Sequence, residues 1–191
     1  LDFSRQSVVE KKPLDLLPFV RETVRALRQS LPENIELQTR FDQDEYFTQA
    51  DSGRLLQALN ILATNAADAM AEGGQLAFGL KSQRIVFGGP APLPDMTPGK
   101  WICLTVSDTG HGVPPEALDR VFEPFYSPKP SGHGTGLGLA QVYGIVKLHD
   151  GFIDVDSQVG RGTTFTIYLP AFVPAVQEIA PEGDDAIFNG T

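Results

Sequence analysis

Cysteine is almost absent. Cys103 is the single one in 191 residues, so no internal disulfide can form and packing alone must hold the fold. It lies in an apolar run, and a reducing, cytoplasmic compartment fits that usage. No signal segment and no apolar stretch of membrane-spanning length is visible, so no direct membrane contact is expected of this chain. Basic residues are also scarce: 15 Lys and Arg against 24 Asp and Glu give a formal charge of -9. That balance argues against nucleic acid and against any broad anionic surface as a partner. It leaves room for one small anion held by backbone groups. The three histidines, His111, His133 and His149, are scattered and have no cysteine partners, so they make no metal cluster. No internal repeat appears. What remains, 41% hydrophobic and 20% charged residues, describes a soluble domain large enough to close one core.

Read in order, the chain alternates helices with pairs of strands. Leu1 to Val9 has helical spacing and gives way at Lys11-Lys12-Pro13. Leu14 to Leu17 is a short apolar patch. Pro18 suits a first helical turn, and Phe19, Val20, Val24, Leu27 and Leu31 form the stripe of an amphipathic helix that stops before Pro32. Ile35 to Phe41 alternates as a half-buried strand, with Tyr46 to Ala50 expected as its hairpin partner. Asp51 or Ser52 can cap a central helix running to about Met70, apolar on most of its surface, in which Asn60 and Asn65 need an explanation. Gln75 to Ile85 and Lys100 to Ser107 read as strands, joined by a Gly- and Pro-rich loop with no visible chemistry. Trp101 reads as packing. A short helix is expected over Glu116 to Val121, a helix over Leu139 to His149, and strands over Phe152 to Ser157 and Thr163 to Leu169. The tail from Ala171 is rich in Pro, Ala and acid and reads as a linker. Strand pairs between helices predict a two-layer α/β sandwich, a mixed sheet covered on one face by helices.

The densest signal is Gly132 to Gly151. Four glycines at alternate positions, Gly132, Gly134, Gly136 and Gly138, lead into a helical pattern. A mobile loop feeding the exposed N–H groups of a helix start is a place for phosphates. No lysine follows the last glycine, which excludes a P-loop, and prolines rather than a strand precede it, which excludes a dinucleotide fingerprint. Ser127 to Gly138 has the composition of a lid.

Taken together, Asn65-Ala66 in a central helix, Asp108-x-Gly110-x-Gly112, Phe122-Glu123-Pro124-Phe125 and Gly132-x-Gly134-Thr135-Gly136-Leu137-Gly138-Leu139 resemble the N, G1, F and G2 boxes of sensor histidine kinases. Their ATP-binding catalytic domain belongs with the gyrase, Hsp90 and MutL ATPases. Gly162-Thr163-x-Phe165 completes the set, and the resemblance covers about Leu14 to Pro170. It implies a Bergerat-type fold that binds ATP and Mg²⁺, and protein-histidine kinase activity. Asp108 would accept from the adenine amino group, with Gly110 and Gly112 letting backbone approach the base and Thr163 completing that end. Asn65 would give a neutral oxygen to Mg²⁺, and Asp68, one turn on, would touch metal-bound water. Gly132, Gly134, Thr135, Gly136, Leu137 and Gly138 would hold the phosphates, and Lys129 in the lid would reach the γ-phosphate.

The resemblance also implies a division of the chain. Residues 1–12 would end a dimerisation and acceptor helix, 13–170 would bind ATP, and 171–191 would lead toward a receiver domain, as in hybrid kinases. The acceptor histidine would lie upstream, since none of the three histidines sits in an acceptor motif. The partners implied are that phosphotransfer domain and the receiver domain of a response regulator. The fragment is then expected as a monomer or weak dimer of a homodimeric parent, which can be membrane-anchored.

The sequence departs from the family pattern at Ile61, where kinases carry a second polar residue four positions before Asn65 and gyrase-like ATPases carry a water-activating Glu. Asn60 is about 140° from Asn65 around the helix and is expected to bond elsewhere. A Ser127-Pro128 pair stands where a threonine pair is usual. A degenerate nucleotide-binding regulatory domain and a gyrase-type ATPase are therefore the alternatives.

Overall fold

A computed structural model describes residues 8–127 and 135–174. Strand β1 (Lys12–Asp15) leads directly into helix α1 (Leu16–Ser30). Asp15 makes that junction: its Oδ1 accepts from Leu17 N–H at 3.0 Å, capping the helix, and from Tyr46 N–H at 2.9 Å. Strands β2 (Ile35–Phe41) and β3 (Phe47–Ala50) follow, then the long helix α2 (Ser52–Ala69), capped by Asp51 through Arg54 N–H. Strands β4 (Gly74–Ile85) and β5 (Gly99–Asp108) form the long hairpin. A single helical turn, α3 (Pro115–Leu118), helix α4 (Gly138–Leu148), and strands β6 (Phe152–Gln158) and β7 (Gly162–Pro170) complete the described chain.

The main sheet has the order β2-β4-β5-β7-β6, with β2 parallel to β4 and the other neighbours antiparallel. Alternation decides its faces. Leu76, Phe78, Leu80, Leu104, Val106, Phe165, Ile167 and Leu169 point to one side, where α1, α2 and α4 bury Val20, Val24, Leu59, Leu62, Val142 and Val146 against them. The expected mixed sheet with helices on one face is the observed fold. The opposite face holds a smaller apolar cluster of Ile85, Met96, Trp101, Cys103 and Tyr168, with Leu93 of the hairpin loop packed on it. Trp101 donates its Nε1–H to Thr97 O at 2.9 Å. That loop's work is therefore structural: it roofs a sheet face that no helix among the described residues covers.

The expected hairpin between β2 and β3 does not form. β3 instead pairs antiparallel with β1, Thr48 opposite Leu14, and Thr48 also bridges Ala171. Alternation fixes which side of a strand is buried but says nothing of its partner, and four residues before α1 proved the better match. Glu10, Lys11 and Lys12 are tied into the same unit. Glu10 N–H donates to Asp51 Oδ2, Lys11 pairs with Asp150 at 2.9 Å, and Lys12 lies opposite Ala50. At the other end, Phe172 N–H donates to Phe47 O at 2.8 Å.

Helix α2 is less apolar in its surroundings than its sequence suggests. Leu55, Ala58, Leu59, Leu62, Ala63 and Ala66 are buried, while Gly53, Leu56, Gln57, Asn60, Ile61, Thr64 and Asn65 line an open cleft shared with Gln141 of α4. Asn65 is accordingly half-buried on the cleft side, not enclosed in the core.

Candidate functional site

The site forms at one end of the sheet. A row of paired residues crosses all five strands there: Leu37, Leu76, Asp108, Thr163 and Ser157. Paired residues share a face, so these side chains lie on the helix-covered side. The row changes from apolar to polar at Asp108, which is only 9% exposed. A buried carboxylate needs donors. Asp108 Oδ1 accepts from Gly110 N–H at 2.8 Å, and Thr163 N–H also stabilises the carboxylate. Burial still outweighs these contacts and pushes its carboxyl above the ordinary range.

Glycines make the close approach possible. Gly112 has φ +75, and a Cβ on it would fall 2.2 Å from Gln158 O. A Cβ on Gly110 would lie 2.7 Å from the Ala69 carbonyl oxygen, at the end of α2. His111 N–H donates to that same oxygen at 3.1 Å. The turn after β5 is thereby docked on the last turn of α2.

The middle of α2 meets the start of α4. A Cβ on Gly138 would lie 3.1 Å from Ile61 Cγ2. Ile61, Asn65 and Ala69 follow one another at four-residue steps on one face of α2. Asn65 therefore stands one turn from the α4 start and one turn from the Gly110 turn. Asp68 is exposed beside it. Asn60 lines the same cleft as Ile61 and Asn65, a cleft of about 520 Å³. The sequence pattern placed Asn60 away from Asn65, and the breadth of the open face explains why both reach the cleft.

Helix α4 begins without a side-chain cap and with no acidic residue in its first turn. Its N–H groups and positive dipole end suit an anion. Gly136, at φ +67, bends the chain just ahead of it, and its carbonyl accepts from Phe125 N–H at 3.0 Å. Phe122 supports the same region with its ring 5.7 Å from Tyr143 and 6.2 Å from Phe165. Thr135 is exposed, its Oγ1 3.4 Å from Leu137 N. Leu137 is the N-cap residue and Gly138 the first residue of α4.

Asp108, Gly110, Gly112 and Thr163 thus lie at one end of the sheet, and the α2 face carrying Asn65, with Asp68 beside it, runs from there to Gly138, which Gly136 and Leu137 precede. Lys129, Gly132, Gly134 and His133 lie outside the described residues. Among the described residues no cluster of His, Cys, Asp or Glu could hold a metal alone. The donor set fits a hard cation only as Asn65 plus a polyphosphate and water.

His149 is the C-cap residue of α4. A cation there would suit the helix dipole, but the ring is 2% exposed and its Nε2 accepts from Asp51 N–H at 3.0 Å. Nδ1, 2.7 Å from Ile145 O, must then carry the proton, so the ring is neutral and clamps α4 to the start of α2. Ser157 was missed. It carries no motif of its own, and the signal that could have found it was its place opposite Thr163.

A mixed sheet with helices on one face, a buried carboxylate and a glycine turn at a strand end, and an uncapped helix start two turns away along α2 define a Bergerat-type ATP-binding domain. The chain belongs to that family: the model for histidine kinase-, DNA gyrase B-, and HSP90-like ATPases matches residues 50–172. Sensor kinase CckA of Brucella abortus (strain 2308) is 40% identical over 175 residues, which is 91% of this chain and 18% of that protein. Sensor histidine kinase ZraS of Escherichia coli (strain K12) is 31% identical over 172 residues, 89% of this chain and 33% of that protein. The chain thus spans only 18% and 33% of the length of these two relatives. Mycobacterial sensor histidine kinase MprB superposes with a TM-score of 0.66 at 27% identity, covering 84% of this chain and 97% of that one. Full-length ShkA in complex with AMPPNP gives 0.69 at 27% identity, covering 88% and 33%. No helix among the described residues is long and apolar enough to cross a membrane.

Proposed function

We propose that this chain is the ATP-binding catalytic domain of a two-component sensor histidine kinase, and that it donates the γ-phosphate of Mg-ATP to a histidine on an upstream dimerisation domain. The observation that carries this is that Asp108 and Thr163 share one row at the end of the sheet, and that the α2 face bearing Asn65 links the turn beside them to the uncapped start of α4. Adenine would sit at Asp108 and Thr163, its amino group donating to the carboxylate. Gly110 and Gly112 would admit the base, and Gly136 and Gly138 would offer N–H groups to the phosphates. Gly132, Gly134, Thr135 and Leu137 would extend that cradle. Mg²⁺, when bound, would neutralise phosphate charge and help align the transfer. Asn65 would hold it by a neutral oxygen, Asp68 would orient its water, and Lys129 would meet the γ-phosphate. A receiver domain of a response regulator would take the phosphoryl group onward, and the parent would act as a homodimer in the cytoplasm.

Ile61 favours one other reading. It lies against Gly138, where a polar group would serve metal or water, and so supports a domain that binds nucleotide and signals without transfer. A gyrase-type ATPase finds no acid there to activate water. The parent protein incubated with labelled ATP and Mg²⁺ separates the two. Label on an upstream histidine supports the kinase; nucleotide binding with no phosphohistidine supports the regulatory reading.

A further inference from the structure

Three groups from the base-reading end converge on the Ser157 hydroxyl. Val113 N–H donates to Ser157 Oγ at 2.8 Å, Ser157 Oγ lies 3.0 Å from the Gly162 carbonyl oxygen, and Thr163 Oγ1 is 2.8 Å away. An amide N–H can only donate and a carbonyl can only accept. Val113 therefore occupies one lone pair of Ser157, and Gly162 takes its single proton. One lone pair is left, and the Thr163 hydroxyl must donate into it. Thr163 Oγ1 then has no proton for a ligand and presents lone pairs alone. Its neighbour in the same row, Asp108, is also an acceptor.

We infer that Ser157 is a positioning residue that sets nucleotide specificity: by engaging the Thr163 proton it makes this end of the site acceptor-only, matched to a purine with a 6-amino group and opposed to one with a 6-oxo group. The inference rests on the proposed nucleotide site. The same hydroxyl ties together the segments on either side. Val113 follows Gly112 and Gly162 precedes Thr163, so the turn after β5 and the turn between β6 and β7 are held by one atom. A purely structural staple would hold both turns without caring which purine is bound.

That difference is measurable by calorimetric titration of the chain with ADP and with IDP, for the parent, Ser157→Ala and Ser157→Thr. Without Ser157 the Thr163 hydroxyl can rotate and donate to a 6-oxo group. The preference for ADP over IDP is expected to fall roughly tenfold in Ser157→Ala. Ser157→Thr keeps a hydroxyl on a residue that suits a strand and is expected to keep the preference. Equal weakening of both nucleotides, or an unchanged ratio, overturns the inference. Should Ser157→Ala fail to show cooperative thermal unfolding, Thr163→Val is expected to lower the same ratio, and its failure to do so is equally decisive against it. Asp108→Asn keeps the two levels apart. Full ADP affinity in that variant removes the site reading and this inference with it; lost affinity there, with an unchanged ratio in Ser157→Ala, removes the inference alone.

Discussion

Replacing Asp108 by asparagine changes one oxygen to an amide at the most buried carboxylate of the site. Oδ1 can still accept from Gly110 N–H, as the carboxylate does at 2.8 Å. The amide nitrogen must then stand where the second carboxylate oxygen was. There, in the proposed complex, it meets the adenine amino group, so donor faces donor. Losing a hydrogen bond to a charged acceptor and leaving a donor unmet costs about 2 to 3 kcal/mol, or roughly 30- to 150-fold in affinity. Stability moves the other way. Burial holds the native carboxyl above its ordinary value of 3.8. The folded state therefore binds this proton more tightly than the unfolded state, and the contribution to stability is full below the ordinary value and is lost as pH rises through the native one. At neutral pH the parent carries the whole cost of the buried charge and the asparagine variant carries none. The variant is expected to unfold at an equal or higher temperature at pH 7, with the advantage shrinking as pH falls. Calorimetric titration with an ATP analogue, with and without Mg²⁺, and thermal unfolding across pH read both effects. Unchanged affinity together with a lower unfolding temperature at neutral pH would refute the reasoning, because Asp108 would then be a structural cap.

Ile61→Asn supplies an oxygen one turn before Asn65 and is expected to raise Mg²⁺-dependent nucleotide affinity roughly fivefold, at about 1 kcal/mol of stability for the lost half-buried side chain; calorimetry with and without Mg²⁺ and denaturant unfolding test the two parts. Tyr46, 2% exposed, has its phenol pushed up to about 12, first by burial and then by its hydrogen bond to Asp42. Its contribution is present below the ordinary value of 10.0 and fades as pH rises toward about 12. Tyr46→Phe should lose that alkaline dependence and, since Asp42 N–H and Gln43 N–H lose their acceptor, about 1 to 3 kcal/mol in denaturant unfolding near neutrality. Gly112→Ala forces a Cβ to 2.2 Å from Gln158 O at φ +75, and roughly 3 kcal/mol or more should be lost. Gly160→Ala meets nothing within 4 Å at φ +80, so strain alone, about 1 kcal/mol, is expected; chemical denaturation of the pair checks the contrast.

The motifs were legible because their chemistry is local. A glycine turn, an acidic strand end and an uncapped helix start each announce themselves within a few residues, and every strand of the main sheet was expected close to where it lies. The start of α2 at Asp51 likewise follows from its capping residue, whereas the cap of α1 at Asp15 falls inside what the sequence shows only as a short apolar patch. Pairing is a different matter. Nothing in Phe47 to Ala50 says that its partner lies before α1 and not in β2, because periodicity fixes a strand's faces and leaves its neighbour open. The surroundings of α2 escaped for a related reason. Leu56 looks like core in sequence, yet it lines a cleft whose opening depends on where α4 lies. The state of His149 depends on Asp51, almost a hundred positions away, and the role of Ser157 on three groups brought in by two turns. The sequence by itself determined the strands of the main sheet, its long helices and the family, since these depend on short-range pattern. Only the tertiary structure decided which hydroxyl must give its proton to which, because a donor and an acceptor are matched by distance in space and not by spacing along the chain.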